Sequence, residues 1–321
     1  MIRVLARVGV AVLMLAFLAS RVDLAAVRAA LVATPLHAVV IATLASFAGN
    51  VVIAFRLKVL LNAQGVPVTA LQTLAINLAA FFYNLLLPVG GVGVAAVRLQ
   101  RLSRQPEGRF TAALTAMVCD RFLALVALGA VGLACFAADP QPKPAGTWLV
   151  LLAGIATLGV FLAPRAVPME LRRFVRDLQA GGSGTWWSAA LLRMSNALGS
   201  VARLSTRDLV RLLAISVVAQ IPGIVVYAVL GAGLGMSVSF AAMGWVRSVV
   251  VLITVLPISI GGLGVREGAL VFTLQAYGVA SHEALALAIL IFATTILAPG
   301  LLGGILEAIR SLRHHETVRV P

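Results

Sequence analysis

The chain has 321 residues, of which 61% are hydrophobic and 11% charged, with a mean hydropathy of +1.05. Such values exclude a soluble globular domain and identify an integral membrane protein. The formal net charge of +14 does not point to nucleic acid. The arginines gather in short stretches between apolar runs, where the positive-inside rule places them beside anionic lipid of the cytoplasmic leaflet.

Arg3 and Arg7 precede VGVAVLMLAFLAS, which is expected to be a retained first transmembrane helix over about 5–20 rather than a cleaved signal. Apolar runs follow at about 36–61, 110–136, 146–163, 207–232 and 283–309, each near the ~20 residues that cross the hydrocarbon. Two more, about 70–87 and 241–257, run straight into LPVGGVGVAAVR from Leu87 and LPISIGGLGVRE from Leu256. Cys119 and Cys135 fall in one run, four turns apart on a helix, which excludes a disulfide between them. No metal-ligand spacing occurs, no cofactor is expected, and without a Walker A motif ATP hydrolysis is not expected either.

Loop charge orients the spans. Arg98, Arg101, Arg104 and Arg109 fill 98–109, and Arg165, Arg172, Arg173, Arg176, Arg193 and Arg203 lie in 164–206, so both segments are expected to be cytoplasmic. The links 138–146 and 233–240 hold a single lysine between them and are expected outside. If 70–87 and 241–257 enter and return, both termini are cytoplasmic. The resulting architecture is an all-α polytopic membrane protein with about six transmembrane helices and two re-entrant hairpins.

The two halves match. GVPVTALQTLAINLAAFFYNLLLPVGGVGV over 65–94 aligns with GMSVSFAAMGWVRSVVVLITVLPISIGGLGV over 235–265. A shift of about 171 residues carries 36–61 and 110–136 onto the flanking spans of the second half. A first repeat over about 36–136 and a second over about 207–309 follow, with the hairpins entering from opposite sides as an inverted repeat. Pro/Gly-broken segments at equivalent places point to a transporter's midplane site. Pro88, Gly90, Gly91, Gly93, Pro257, Gly261, Gly262 and Gly264 are expected to form the reversals, since proline ends a half-helix and glycine permits the turn. Close packing of helices through the same glycines is the alternative.

NLLLPVGGVGVAAVRLQRL, the CDRF element at 119–122 and LPISIGGLGVREGAL together resemble the lysylphosphatidylglycerol synthase transmembrane-domain family, also called flippase-like. The resemblance covers nearly the whole chain. It implies a lipid flippase fold with two oppositely oriented re-entrant hairpins, located in the bacterial cytoplasmic (inner) membrane. It also implies functional weight at Asn84, Pro88, Arg98, Asp120, Arg121, Pro257, Gly264, Arg266 and Glu267. Relatives usually carry an acid shortly before the first motif's arginine; here Val94-Ala95-Ala96-Val97 precede Arg98, so no acidic headgroup ligand is carried over. The synthase domain has no counterpart in these residues, so lysyl-lipid synthesis is not implied.

Intramembrane charge gives independent candidates. Asp120 and Arg121 fall near mid-bilayer, where a charge costs a few kcal/mol or more unless paired or hydrated. They lie about 100° apart on a helix and cannot neutralise each other, so Arg266 and Glu267 are the expected partners. An ion-pair cluster that only holds the hairpin tips is the plainer reading of these four. Arg98 and Arg266 fit a phosphate, which guanidinium binds through two parallel bonds, although Arg98 also suits an ordinary cytoplasmic charge. Arg56 and Lys58 are expected to snorkel, with Arg56 in reach of a headgroup. Arg247 is a further substrate-site candidate, or it faces the outer interface.

In the basic segment 164–206 two apolar stripes, one on each side of GGSG, predict interfacial helices resting on the cytoplasmic leaflet. An enzyme is not expected: GxSxG and HExxH are missing, and extracytoplasmic carboxylates reduce to Asp23 and Asp139 in short links. The expected function is a flippase that moves an anionic or phosphate-bearing lipid, a phospholipid or a polyprenyl type, between leaflets by alternating access. The alternative is a non-catalytic accessory protein of a lipid- or glycan-modifying enzyme. A homodimer, or a partner enzyme docked on the basic segment, stays open on the sequence.

Overall fold

The computed structural model describes residues 22–86, 97–102, 109–140, 206–255 and 263–317, and all regular structure among them is helical. Helix α1 (Leu24–Ala33) starts where the Asp23 carboxylate accepts from the amides of Ala25 and Ala26 at 2.8 and 3.2 Å, and it stops ahead of Pro35. Helix α2 (Leu36–Ala63) has 28 residues, about 42 Å at 1.5 Å per residue, enough to cross a bilayer with some tilt. Helix α3 (Ala70–Leu86) has only 17. After the helical stretch 97–102 come α4 (Arg109–Ala138), α5 (Thr206–Val218), α6 (Ile221–Gly233), α7 (Phe240–Val255), α8 (Val265–Gln275) and α9 (Ser281–Phe292). A π-helical turn at Ala293–Leu297 then leads into α10 (Ala298–Thr317).

Four helical paths are long and apolar enough to cross a membrane: Leu36–Ala63, Ala112–Ala138, Arg207–Gly233 and Ser281–Leu312. Leu36, Leu44, Val51, Leu301 and Ile305 lie exposed along them, as lipid-facing side chains do. The chain is an all-α polytopic membrane protein. The expected spans at 5–20 and 146–163, the interfacial helices, and Pro88, Gly90, Gly91, Gly93, Pro257, Gly261 and Gly262 lie outside the described residues.

Two spans expected to be continuous are interrupted, each beside a proline. Pro222 stands at the second position of α6; its missing N–H cannot bond the Val218 carbonyl, and the helix breaks at Ala219–Gln220. Pro299 likewise follows the π turn, within which the Thr294 and Thr295 hydroxyls bond the carbonyls of Leu290 and Ile291 at 2.8 and 2.6 Å. Such back-bonding loosens the ladder and accommodates the extra residue.

Local geometry repeats at an offset of 170 residues. Gly65 and Gly235 both close a helix with φ of 75° and 80°, and Val66 and Met236 donate back to the carbonyls of Leu61 and Gly231 at 2.9 and 3.0 Å. Thr69 and Ser239 then cap α3 and α7 through their hydroxyls. Packing repeats as well: α3 lies along α10, α7 lies along α4, and α2 crosses α6. A Cβ at Gly303 would overlap the Leu78 carbonyl, and one at Gly132 would meet the Ser248 side chain. Position 132 maps to 303 and 248 to 78 at nearly the same offset, so each short arm packs on the span that follows the other arm.

Gly303→Ala should therefore lower thermal stability by roughly 1–3 kcal/mol, because the new methyl meets backbone rather than a movable side chain. At Gly304 the neighbour is the Phe82 ring, which can turn aside. Melting curves of the two variants in detergent should show the larger loss at Gly303.

Candidate functional site

Arg56 projects from the last third of α2 into the interior, with its side chain only 2% exposed. Its Nε donates to Asp120 Oδ1 at 2.7 Å and its Nη1 to Ser216 Oγ at 3.2 Å, while the Ser216 hydroxyl donates to the Leu212 carbonyl at 2.7 Å. Three helices, α2, α4 and α5, meet on this one guanidinium. Leu57, Leu61, Leu123 and Leu212 pack around it as a dry cluster. This corrects two expectations: Arg56 does not snorkel, and the partner of Asp120 is Arg56 rather than Arg266 or Glu267. Packing of α2 against α4 sets the pair inside the first half of the molecule.

Arg98, in the helical stretch 97–102, is buried at 7% exposure, unlike an ordinary cytoplasmic charge. Its Nε is shielded from solvent and has no hydrogen-bond partner. The charges of Arg121, Asp120 and Arg56 all act on it, and Arg121 itself is exposed. Among the described residues, three guanidiniums thus surround a single carboxylate already bonded to Arg56. The positive excess suits an anion.

The second half holds a different arrangement. Gly264 adopts φ 78° and turns the chain into α8, a conformation that only glycine takes without strain. Glu267 Oε2 accepts from the Gly264 amide at 2.7 Å, and Oε1 accepts from Arg266 Nε and Nη2 at 3.1 and 2.5 Å. The Arg266 guanidinium also stands 5.3 Å from the centre of the Phe292 ring. Its fork is occupied by its own neighbour and does not reach Asp120. Arg247 points inward rather than to an outer interface: Nη1 donates to Gln220 Oε1 at 3.0 Å, and Gln220 Nε2 donates to the Ala124 carbonyl at 3.3 Å. Gly223 leaves the space in which that guanidinium lies against α6. Tyr227, fully packed, is within reach of the charges of Arg247, Arg266 and Glu267. Asn84 stands half-buried on α3 without a hydrogen bond to any of these groups. Lys58 lies near the Phe55 ring, 5.7 Å from its centre.

Two clusters were not anticipated. Arg101 grips Glu307 through both guanidinium nitrogens, Nη1 to Oε1 at 2.7 Å and Nη2 to Oε2, with Tyr83 beside the pair. Asp139, past the end of α4, is buried; Oδ1 accepts from the Ser239 hydroxyl at 3.1 Å, and Oδ2 from Trp245 Nε1 at 3.2 Å and the Tyr277 hydroxyl at 2.6 Å. The available signal was a lone acid flanking an apolar run, together with a tyrosine and a tryptophan able to reach it. Among the described residues no three of His, Cys, Asp and Glu stand together as a metal site.

Burial first, and then the Asp139 hydrogen bond, hold the Tyr277 phenol above its ordinary value of 10.0. The neutral phenol is the favoured form, so its contribution is complete below pH 10 and is lost as pH rises through the higher folded value. Tyr277→Phe should cost about 1.5–3 kcal/mol near neutrality, the worth of a hydrogen bond to a charged group. Melting temperatures taken between neutral pH and pH 11 should fall at the alkaline end for the parent, and this component should be missing from the variant.

The model of the lysylphosphatidylglycerol synthase TM region matches residues 4–303. The chain belongs to this family. The match takes in both short arms, the Arg56–Asp120 pair, Arg98 and the Arg266–Glu267 pair, so the charged clusters lie within the family domain. Glu307 falls just beyond the matched residues of this lysylphosphatidylglycerol synthase TM region. Comparison with curated proteins gives no match, and neither does comparison with solved structures.

Proposed function

We propose that this member of the family is a flippase that carries an anionic or phosphate-bearing lipid between the leaflets of a bacterial inner membrane by alternating access. The observation that supports this most is Arg98: a buried guanidinium whose Nε has no partner, beside Arg121 and Arg56, while the one nearby carboxylate is committed to Arg56. A phosphate would accept from Arg98 and offset the local positive excess, and guanidinium suits it through paired N–H groups. In this reading α3 and α7 are the entering arms of two re-entrant hairpins of an inverted repeat. The offset of 170 residues in their caps and packing supports that reading. Arg247 and Arg266, each held by a neighbouring side chain, serve further along the same path. The protein is no enzyme itself; lipid is both its substrate and, on the cytoplasmic leaflet, its anionic contact.

Purified protein in liposomes tests the proposal. It should move headgroup-labelled anionic phospholipid between leaflets with no partner present, whereas an accessory protein would leave the label where it was placed. The topology that goes with the proposal puts both termini and 164–206 in the cytoplasm. A cysteine introduced by Ala180→Cys, with Cys119 and Cys135 replaced by serine, should resist an impermeant thiol reagent added outside and react once the membrane is opened. Labelling of intact cells at that position would refute the topology.

A further inference from the structure

Two side-chain pairs occupy matching places in the two halves and are found in opposite conditions. At an offset of 170, Asn50 maps to Gln220 and Asn77 to Arg247. In the second half the pair is closed, with Arg247 Nη1 on Gln220 Oε1 at 3.0 Å. In the first half it is open. Asn77 is 0% exposed and neither Oδ1 nor Nδ2 has a partner, while Asn50 directs its amide to the Ser46 carbonyl at 3.0 Å. Geometry places the two asparagines level with each other: Thr73 Oγ1 bonds the Ala54 carbonyl across α2 and α3 at 2.9 Å. One turn further along these antiparallel helices, position 77 comes opposite position 50.

A buried amide lacking both its donor and its acceptor partner is costly and uncommon in folded proteins. Asn77 needs a group that both accepts and donates, and the Asn50 side chain is such a group. The two pairs flank the crossing of α2 and α6, where Gly49 meets Pro222 with a Cβ-to-Cβ approach of only 3.3 Å. A crossing built from glycine and proline has no long interlocking side chains, and small rocking movements about it cost little. Rocking that draws α3 toward α2 on one side carries α7 away from α6 on the other, if the halves move as matched units.

We infer that the Asn50–Asn77 and Gln220–Arg247 pairs exchange states during transport, so that closure of the first releases Arg247 as a second headgroup ligand. The inference rests on the flippase reading above. Asn50, Asn77 and Gln220 are positioning residues: they set when Arg247 is held and when it is free. Gln220, anchored on the Ala124 carbonyl of α4, holds Arg247 in the state seen here, and Arg98 is then the ligand facing the headgroup.

The full chain reconstituted in phosphatidylglycerol-containing vesicles tests this. Parent protein that fails to move labelled phosphatidylglycerol defeats the flippase reading itself. If the parent moves it, Asn77→Leu should keep or raise the melting temperature, since an unpartnered amide is replaced by an apolar group of similar size, yet slow transport by at least about tenfold. Asn77→Ser, which can donate and accept, should recover part of the rate. Cys135 reports on the state: its Sγ lies against Gly244, one turn before Arg247 on α7. In a Cys119→Ser background its reaction with a permeant maleimide should slow in Asn77→Leu and quicken in Gln220→Leu. An Asn77→Leu variant that transports like the parent, one that is strongly destabilised, or a Cys135 rate that moves the same way in both variants would each overturn the exchange.

Discussion

Asp120→Ala is expected to destabilise the folded protein by about 3–5 kcal/mol, the cost of breaking a buried ion pair by removing one partner. Arg56 would keep its place at 2% exposure with only the Ser216 hydroxyl to accept from it, and a stranded guanidinium in a membrane interior is severely penalised. Replacing both members by apolar residues of similar size, Arg56→Met with Asp120→Leu, should restore much of the loss, because the desolvation of two charges disappears with them. Thermal unfolding of the three variants in detergent gives the comparison. Arg266→Gln should cost less than Asp120→Ala, since Glu267 would still accept from the Gly264 amide at 2.7 Å.

Arg98→Gln should do the reverse: little change in stability, and a loss of lipid affinity. The variant removes a charge-assisted contact worth about 1.5–3 kcal/mol, which weakens headgroup binding by roughly ten- to a hundredfold. The unpartnered Nε goes with it, so the melting temperature should hold or rise. Arg98→Lys keeps the charge without the planar fork and should recover part of the affinity. Titration with a phosphate-bearing lipid in mixed micelles, read beside melting curves, separates this residue from Asp120, whose loss would lower stability first.

Helix positions were legible because hydrophobic run length reports directly on membrane spans. The expected 36–61, 70–87 and 241–257 became Leu36–Ala63, Ala70–Leu86 and Phe240–Val255. Less visible were the interruptions at Ala219–Gln220 and Ala293–Leu297, since Pro222 and Pro299 sit in runs apolar enough to pass as continuous. Helix α1 was missed although its cap, Asp23, was noted as a lone carboxylate. At the site, burial of Asp120 followed from its depth in a span, but its partner did not. Residues 56 and 120 are brought together by the packing of α2 on α4, and periodicity carries no information about which of several arginines meets a given acid. Trp245, Tyr277 and Asp139 come from three separated stretches, and their meeting likewise depends on how α7 lies along α4. By contrast, the offset between halves was readable from the sequence, and it is what places Asn77 beside Arg247 in the comparison of the two arms.

The most direct measurement is translocation by parent and Arg98→Gln proteins in the same vesicle preparation, with equal amounts of folded protein confirmed by melting. Headgroup-labelled phosphatidylglycerol placed in one leaflet should equilibrate rapidly with the parent, at least about tenfold more slowly with Arg98→Gln, and at an intermediate rate with Arg98→Lys. Equal rates for the parent and Arg98→Gln, or no movement above empty vesicles with the parent, would contradict the assignment of Arg98 as the headgroup ligand of a lipid flippase.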